Sequence, residues 1–160
     1  MWDSIKIIEG TALDNTKWFN DHSTGELWIG TIFYGVKNSM NHFRYPTLNL
    51  SNATCISGSS FGSTMWNDHA GAYYVDSITL PTGNCIYIGP YAFDGCTQAH
   101  CNNSGDTYTF NGTETIGSKA FNNCSWLFAE KALVFTNSLS YLGTGAFAGT
   151  TFFYGSANFR

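Results

Sequence analysis

The sequence predicts a mainly β solenoid, in which short strands and short helical turns wind into coils stacked on one another. Three observations predict it. A nine-residue phrase returns, as IGPYAFDGC at 88–96, IGSKAFNNC at 116–124 and LGTGAFAGT at 142–150. Its glycines Gly89, Gly117 and Gly143 stand 28 and 26 residues apart, and Phe93, Phe121 and Phe147 keep the same intervals. Between the copies lie short runs in which apolar and polar residues alternate, the period of a strand with one buried face. A single unit cannot bury its own apolar face, so neighbouring units must stack to close a core.

Taken in order, residues 1–45 match no repeat, and read as an N-terminal cap or attachment segment. Their apolar residues (Trp2, Ile5, Ile7, Ile8, Trp18, Phe19, Trp28, Ile29, Phe33) suit a cap over the first coil. Residues 46–160 read as the solenoid, with about four repeats. TLNL at 47–50 is the first expected strand, followed by a degenerate copy, ISGSSFGST at 56–64, whose Phe61 stands 32 residues before Phe93. SITLP at 77–81, YTF at 108–110 and LVF at 133–135 are the later expected strands.

The letters of the phrase have local reasons. Glycine tolerates a tight backbone turn. Ile88, Ile116 and Leu142, with Phe93, Phe121 and Phe147, should point inward and stack on their counterparts one coil away. Ala92, Ala120 and Ala146 are small enough to admit the backbone of a short turn. Cys96 and Cys124 share their slot with Thr64 and Thr150, so a small, mildly polar residue serves there and disulfide chemistry is not required.

The 160 residues suffice for one domain with a real core, and 43% apolar content excludes a disordered chain. Charged residues make up only 11% and aromatics 17%, so solubility rests on Ser, Thr, Asn and Gly. Such a surface suits contact with proteins or glycans. The net charge of −4, without a basic run, argues against nucleic acid. No segment approaches the ~20 apolar residues of a membrane span. The opening MWDSIKIIEG lacks the basic and apolar regions of a signal peptide.

Several motifs of chemistry resolve to plainer readings. Gly58-Ser59-Ser60-Phe61-Gly62 matches the G-x-S-x-G elbow, and Asp76 and His100 would complete a triad in chain order. The elbow, however, needs a helix behind it and a large parallel sheet around it, whereas here Phe61 occupies a core slot. His69, His100, Cys101 and Asp106 lack the spacing of a zinc site and read as polar loop residues. Five cysteines leave one unpaired, and Cys96 with Cys101 could close a small loop in an oxidising compartment. Four N-x-[ST] sequons, at Asn52, Asn102, Asn111 and Asn123, carry weight only in a secreted eukaryotic chain. No cofactor, metal or catalytic residue is expected.

The phrase I-G-x-x-A-F-x-x-C, followed by a short strand, resembles the BspA-like leucine-rich repeat, clearest over residues 78–150. The resemblance implies a right-handed solenoid with a parallel strand ladder, and a role in adhesion or protein binding on cell surfaces or in some viral proteins. The family supplies no catalytic residues to carry over. This chain departs from it in lengthened links, MWNDHAGAYYVD after Thr64 and TQAHCNNSGD after Cys96. Insertions in solenoids map to one flank, often the binding flank. Trp66, Asn67, Asp68, His69, Tyr73 and Tyr74 are therefore candidate recognition residues, with His100, Asn102 and Asn103 on the second insertion.

Two functions follow as expectations. One is a non-catalytic adhesion module at a cell surface; the other is a virion structural protein, such as a decoration or fibre protein. A glycan-binding module is a third. The virion reading draws on low charge, the missing signal peptide and a chain that runs from Met1 to a stop just past the last repeat. It would assemble through its aromatic end, where Phe152, Phe153, Tyr154 and Phe159 crowd together and Arg160 is the one charge. A solenoid end without a polar cap leaves strand edges bare. The expected place of action is extracellular, on a cell surface or in a virion.

Overall fold

The computed structural model describes residues 4–23, 25–37, 45–61, 75–151 and 157–159. Their strands, in chain order, are β1 (Gly25–Ile29), β2 (Ile32–Lys37), β3 (Tyr45–Asn49), β4 (Cys55–Ile56), β5 (Val75–Thr79) and β6 (Tyr87–Ile88), then β7 (His100–Cys101), β8 (Thr107–Phe110), β9 (Thr115–Ile116), β10 (Ala132–Phe135), β11 (Tyr141–Leu142) and β12 (Ala157–Phe159). One short helix, α1 (Lys17–Asp21), precedes them. The chain is a β-solenoid with very little helix.

The axis of the coil is a six-stranded sheet in the order β1-β2-β4-β6-β9-β11. Four of its strands are two-residue pairs that open each phrase, and from β2 onward every pairing is parallel. Side chains alternate across a strand, so the column Ile56, Ile88, Ile116 faces the core while Cys55, Tyr87, Thr115 and Tyr141 face outward. The antiparallel hairpin β1–β2 closes the first edge, and Ile29 and Phe33 are buried in it.

The alternating runs do form strands, but not one ladder. TLNL and SITLP lie in the parallel sheet β3-β5-β7, whereas YTF and LVF lie in β8-β10-β12. The second lengthened link supplies the reason. It folds back as β7, whose His100 and Cys101 pair with Ser77 and Ile78 and take the edge that β8 would have used.

Phenylalanines carry the core from coil to coil. Phe61 and Phe93 stack with centroids 5.0 Å apart, Phe93 and Phe121 at 4.9 Å, and Phe121 and Phe147 at 5.0 Å. Phe33 extends the stack at 5.6 Å from Phe61, so the described part of the degenerate copy, residues 56–61, joins the coils. Ala92, Ala120 and Ala146 are buried beside these rings, as are Cys96 and Cys124. Leu142 departs from its column: it is 42% exposed, against 1% for Ile88, because it lies in the edge strand of the sheet.

The glycines act differently from the sequence reading. Gly89, Gly117 and Gly143 do not have positive φ; the left-handed residues are Ser59, Tyr91, Lys119 and Gly145 at the fourth position, and Gly95, Asn123 and Gly149 at the eighth. A Cβ on Gly117 would stand 2.4 Å from the Pro90 nitrogen, and one on Gly143 2.2 Å from that of Ser118. The second position is glycine because successive coils touch there, backbone to backbone.

The slot that closes the phrase also has a chemical reason. Cys124 donates its thiol to the Phe93 carbonyl at 3.0 Å, and the Thr150 hydroxyl donates to the Phe121 carbonyl. A small donor that reaches the preceding coil fits, and Cys and Thr both serve. All five cysteines are thiols in this structure.

Residues 8–16, IEGTALDNT, fold as a further copy of the turn that sequence reading misses. Thr11 and Asn15 take the left-handed conformation at the fourth and eighth positions. The amides of Ala12, Asp14 and Thr16 donate to the carbonyls of Glu9, Thr11 and Leu13, as those of Ala92, Asp94 and Cys96 donate to Gly89, Tyr91 and Phe93. This copy touches the coil stack at Gly10, where an added Cβ would stand 2.0 Å from the Gly58 carbonyl oxygen, but it does not form the coil below. The place below residues 56–60 belongs to β2, where Ser57 N donates to Phe33 O and Val36 N to Ser60 O. The N-terminal segment instead lies across the outer face of the axial sheet. Tyr34 donates its hydroxyl to Asp14 at 2.7 Å, and Trp18 packs edge-on against the same ring.

Candidate recognition surface

The lengthened link after Cys96 builds an exposed flank on a fixed base. Asn102 N donates to Ile78 O at 2.8 Å and Cys101 N to Leu127 O at 3.0 Å, tying the link to both neighbouring coils. Asn103 completes the tie with its side chain. Its carbonyl accepts from Leu80 N and its amide donates to Leu80 O, both at 2.8 Å, so one amide stands in for a strand. Lys131 Nζ donates to the carbonyls of Asn103 and Gly105, holding the tip of the link down.

On this base stand exposed aromatic and polar groups. Trp126 is 53% exposed, and its ring centroid lies 5.9 Å from that of exposed His100, the planes inclined at 40°. Asn102 is exposed beside them in sequence, whereas Asn103 is half-buried in the tie to Leu80. Sequence reasoning missed Trp126. It sits in CSWLF, in a link of ordinary length, and so lacks the insertion that marks a binding flank in the sequence. Trp66, Asn67, Asp68, His69, Tyr73 and Tyr74 lie outside the described residues. So do Phe152, Phe153 and Tyr154; Phe159 belongs to β12, which pairs in parallel with β10 opposite Phe135.

Ser60 of the G-x-S-x-G pentapeptide is fully buried, and its hydroxyl donates to the Ser57 carbonyl. The Cys101 thiol is turned to Asn103 Oδ1 at 3.2 Å, and burial raises its pKa. Among the described residues no group of three His, Cys, Asp or Glu side chains could hold a metal ion. Nor is any of their helices long and apolar enough to cross a membrane.

A solenoid of stacked phrases with a lengthened, exposed flank is a leucine-rich-repeat scaffold. Six copies of the BspA type leucine rich repeat region match residues 69–154, and the chain belongs to that family. No curated protein and no solved structure matches it. The family assignment makes the chain a module of the protein-interaction or adhesion type, on a scaffold that is typically non-catalytic and often found at surfaces.

Proposed function

We propose that the chain is a recognition module whose binding surface is the flank built by β7 and the turn carrying Trp126. One observation carries this reading: Trp126 and His100 hold a large aromatic surface in solvent on a base tied by backbone bonds to two coils. Rigid aromatic anchors of this kind give contact area at little entropic cost and dominate binding energies. The partner is a surface protein, and glycans are the competing class. The chain, immobilised, should bind at least one of a set of extracellular-matrix glycoproteins, with equal affinity after enzymatic removal of their glycans. Trp126→Ala should weaken that binding at least tenfold with an unchanged melting temperature. Binding indifferent to Trp126→Ala would remove this flank from the function, and binding lost on deglycosylation would make the module a lectin.

Self-assembly, as in a virion component, is a second reading, favoured by the last coil. Tyr141 and Leu142 of edge strand β11 are 52% and 42% exposed, where Tyr87 and Ile88 of an inner coil are 9% and 1%. The edge of β11, unpaired among the described residues, and the aromatic residues near 152–159 in sequence are the surface that would meet another copy.

A further inference from the structure

We infer that the outer face of β9 and β11 is a docking site for an extended peptide in which an aliphatic residue is followed by a carboxylate. The chain itself displays the occupied form of such a site. Along the outward column of the axial sheet, Ile32, Cys55 and Tyr87 are buried, although they face away from the core. The N-terminal segment lies on two of them, Cys55 and Tyr87. Ile8 is buried at Cys55, whose thiol burial pushes up to about 11, and the Ile8 carbonyl accepts from the Ser57 hydroxyl at 2.7 Å. Glu9 then accepts the Tyr87 hydroxyl at 2.8 Å. The backbone of one residue at the small side chain of one coil, and the carboxylate of the next residue on the tyrosine of the following coil, make up the contact.

The same pair recurs further along the column, uncovered. Thr115 and Tyr141 are register partners in adjacent parallel strands, as Cys55 and Tyr87 are, and they face the same way. Thr115 is half-buried and Tyr141 is 52% exposed. The repeat therefore presents its outer face twice, once filled by the chain's own Ile-Glu and once open. The glycine at the second position keeps successive coils in backbone contact, so the spacing between the two residues of each pair is the same. The open pair lacks one element of the filled one: Gly117 stands where Ser57 supplies its hydroxyl. Recognition there rests on the Thr115 side chain, which stands where Cys55 meets the Ile8 backbone, and on the tyrosine–carboxylate bond, a charge-assisted one. This face is distinct from the Trp126 flank, and the inference does not depend on that reading.

The probe is a labelled peptide with the sequence of residues 4–10, SIKIIEG, titrated into the full chain and followed by fluorescence anisotropy and by amide chemical shifts. Saturable binding is expected, with shifts centred on Thr115 and Tyr141. Tyr141→Phe, which removes the hydroxyl from an exposed ring, should weaken binding at least fivefold without changing the melting temperature. A peptide with Gln in place of its Glu should lose as much, and should lose nothing further on the Tyr141→Phe chain. No saturable binding, equal binding of a scrambled peptide, or an affinity indifferent to Tyr141→Phe would each overturn the inference. Shifts confined to Cys55 and Tyr87 would also overturn it, since they would mean that the peptide only replaces the chain's own segment.

Discussion

Each glycine at the second position of the phrase stands where one coil's backbone meets the next, and each fourth position is left-handed whatever residue it holds. The left-handed turn therefore falls two residues beyond the glycine to which sequence alone assigns it. At Gly117 an added methyl would meet the backbone of Gly89 and Pro90 at 2.6 and 2.4 Å, and backbone cannot swing aside as a side chain can. Gly117→Ala should cost about 3 kcal/mol, the upper range for overpacking, by prising two coils apart. Lys119 sits at φ +55°, a conformation that costs a non-glycine residue about 1–2 kcal/mol. Lys119→Gly should thus be neutral or stabilising, the removed strain offsetting the extra freedom of the unfolded chain. Urea midpoints of the two variants decide between the accounts. If Lys119→Gly proved the more damaging of the two, the glycine would be a turn residue after all. The core letters are easier to read, because burial selects side chains directly. Phe61, Phe93, Phe121 and Phe147 form the stack that their spacing suggests. A glycine records only that something is absent, so its spacing marks the position without giving the reason.

Beyond residue 45, strands of four or five residues were legible and strands of two were not, whereas β1 and β2 lay hidden in a segment read only as a cap. β3, β5, β8 and β10 each hold an alternating run, but β4, β6, β9 and β11 are too short to show any period, although they build the axial sheet. The copy at 8–16 was hidden for a related reason. It keeps Ile8, Ala12 and Thr16 but holds Glu9 at the second position and Leu13 in the phenylalanine slot, so the glycine and phenylalanine that mark the other copies are missing. The flank was half legible. Link length pointed to His100, Asn102 and Asn103, but a side-chain amide serving as a strand leaves no mark on the sequence. That amide offers a test of what separates the two lateral sheets. Asn103→Ala removes both bonds to Leu80 and leaves its N–H and carbonyl unpaired in a partly buried place. A loss of about 1–3 kcal/mol is expected. Hydrogen exchange should show the damage as local, with the Leu80 amide accelerated and the amides of Ile88 and Gly117 unchanged. Uniform acceleration across all coils would mean that the link supports the whole stack rather than one edge.

Across the whole molecule, stability owes little to charge and much to buried neutral groups that ionise at high pH. The one ion pair among the described residues, Lys17 with Asp21, is exposed at both ends and contributes little. By contrast, burial raises the Cys55 thiol from its ordinary 9.0 to about 11 and the Cys85 thiol to about 12. Hydrogen bonding to Cys124, together with burial, lifts Cys96 as well. Burial, then the bond to Glu9, holds the Tyr87 phenol above its ordinary range. For each of these groups the folded state keeps its proton to a higher pH than the unfolded chain does. Their contribution is therefore whole below about pH 9 and drains away as pH rises from there toward the folded values. Each thiol should add about 1.4 kcal/mol per pH unit to the decline within its window. A urea midpoint followed from pH 7 to 11.5 should stay level to about pH 8.5 and then fall steeply. In a Cys55→Ala/Cys85→Ala variant the starting midpoint drops, yet the fall between pH 9 and 11 becomes shallower by about 1.4 kcal/mol per pH unit for each thiol removed. If the two slopes coincide, the alkaline limb belongs to the tyrosines, and the outward column at Cys55 is wetter than the N-terminal segment lying over it would allow.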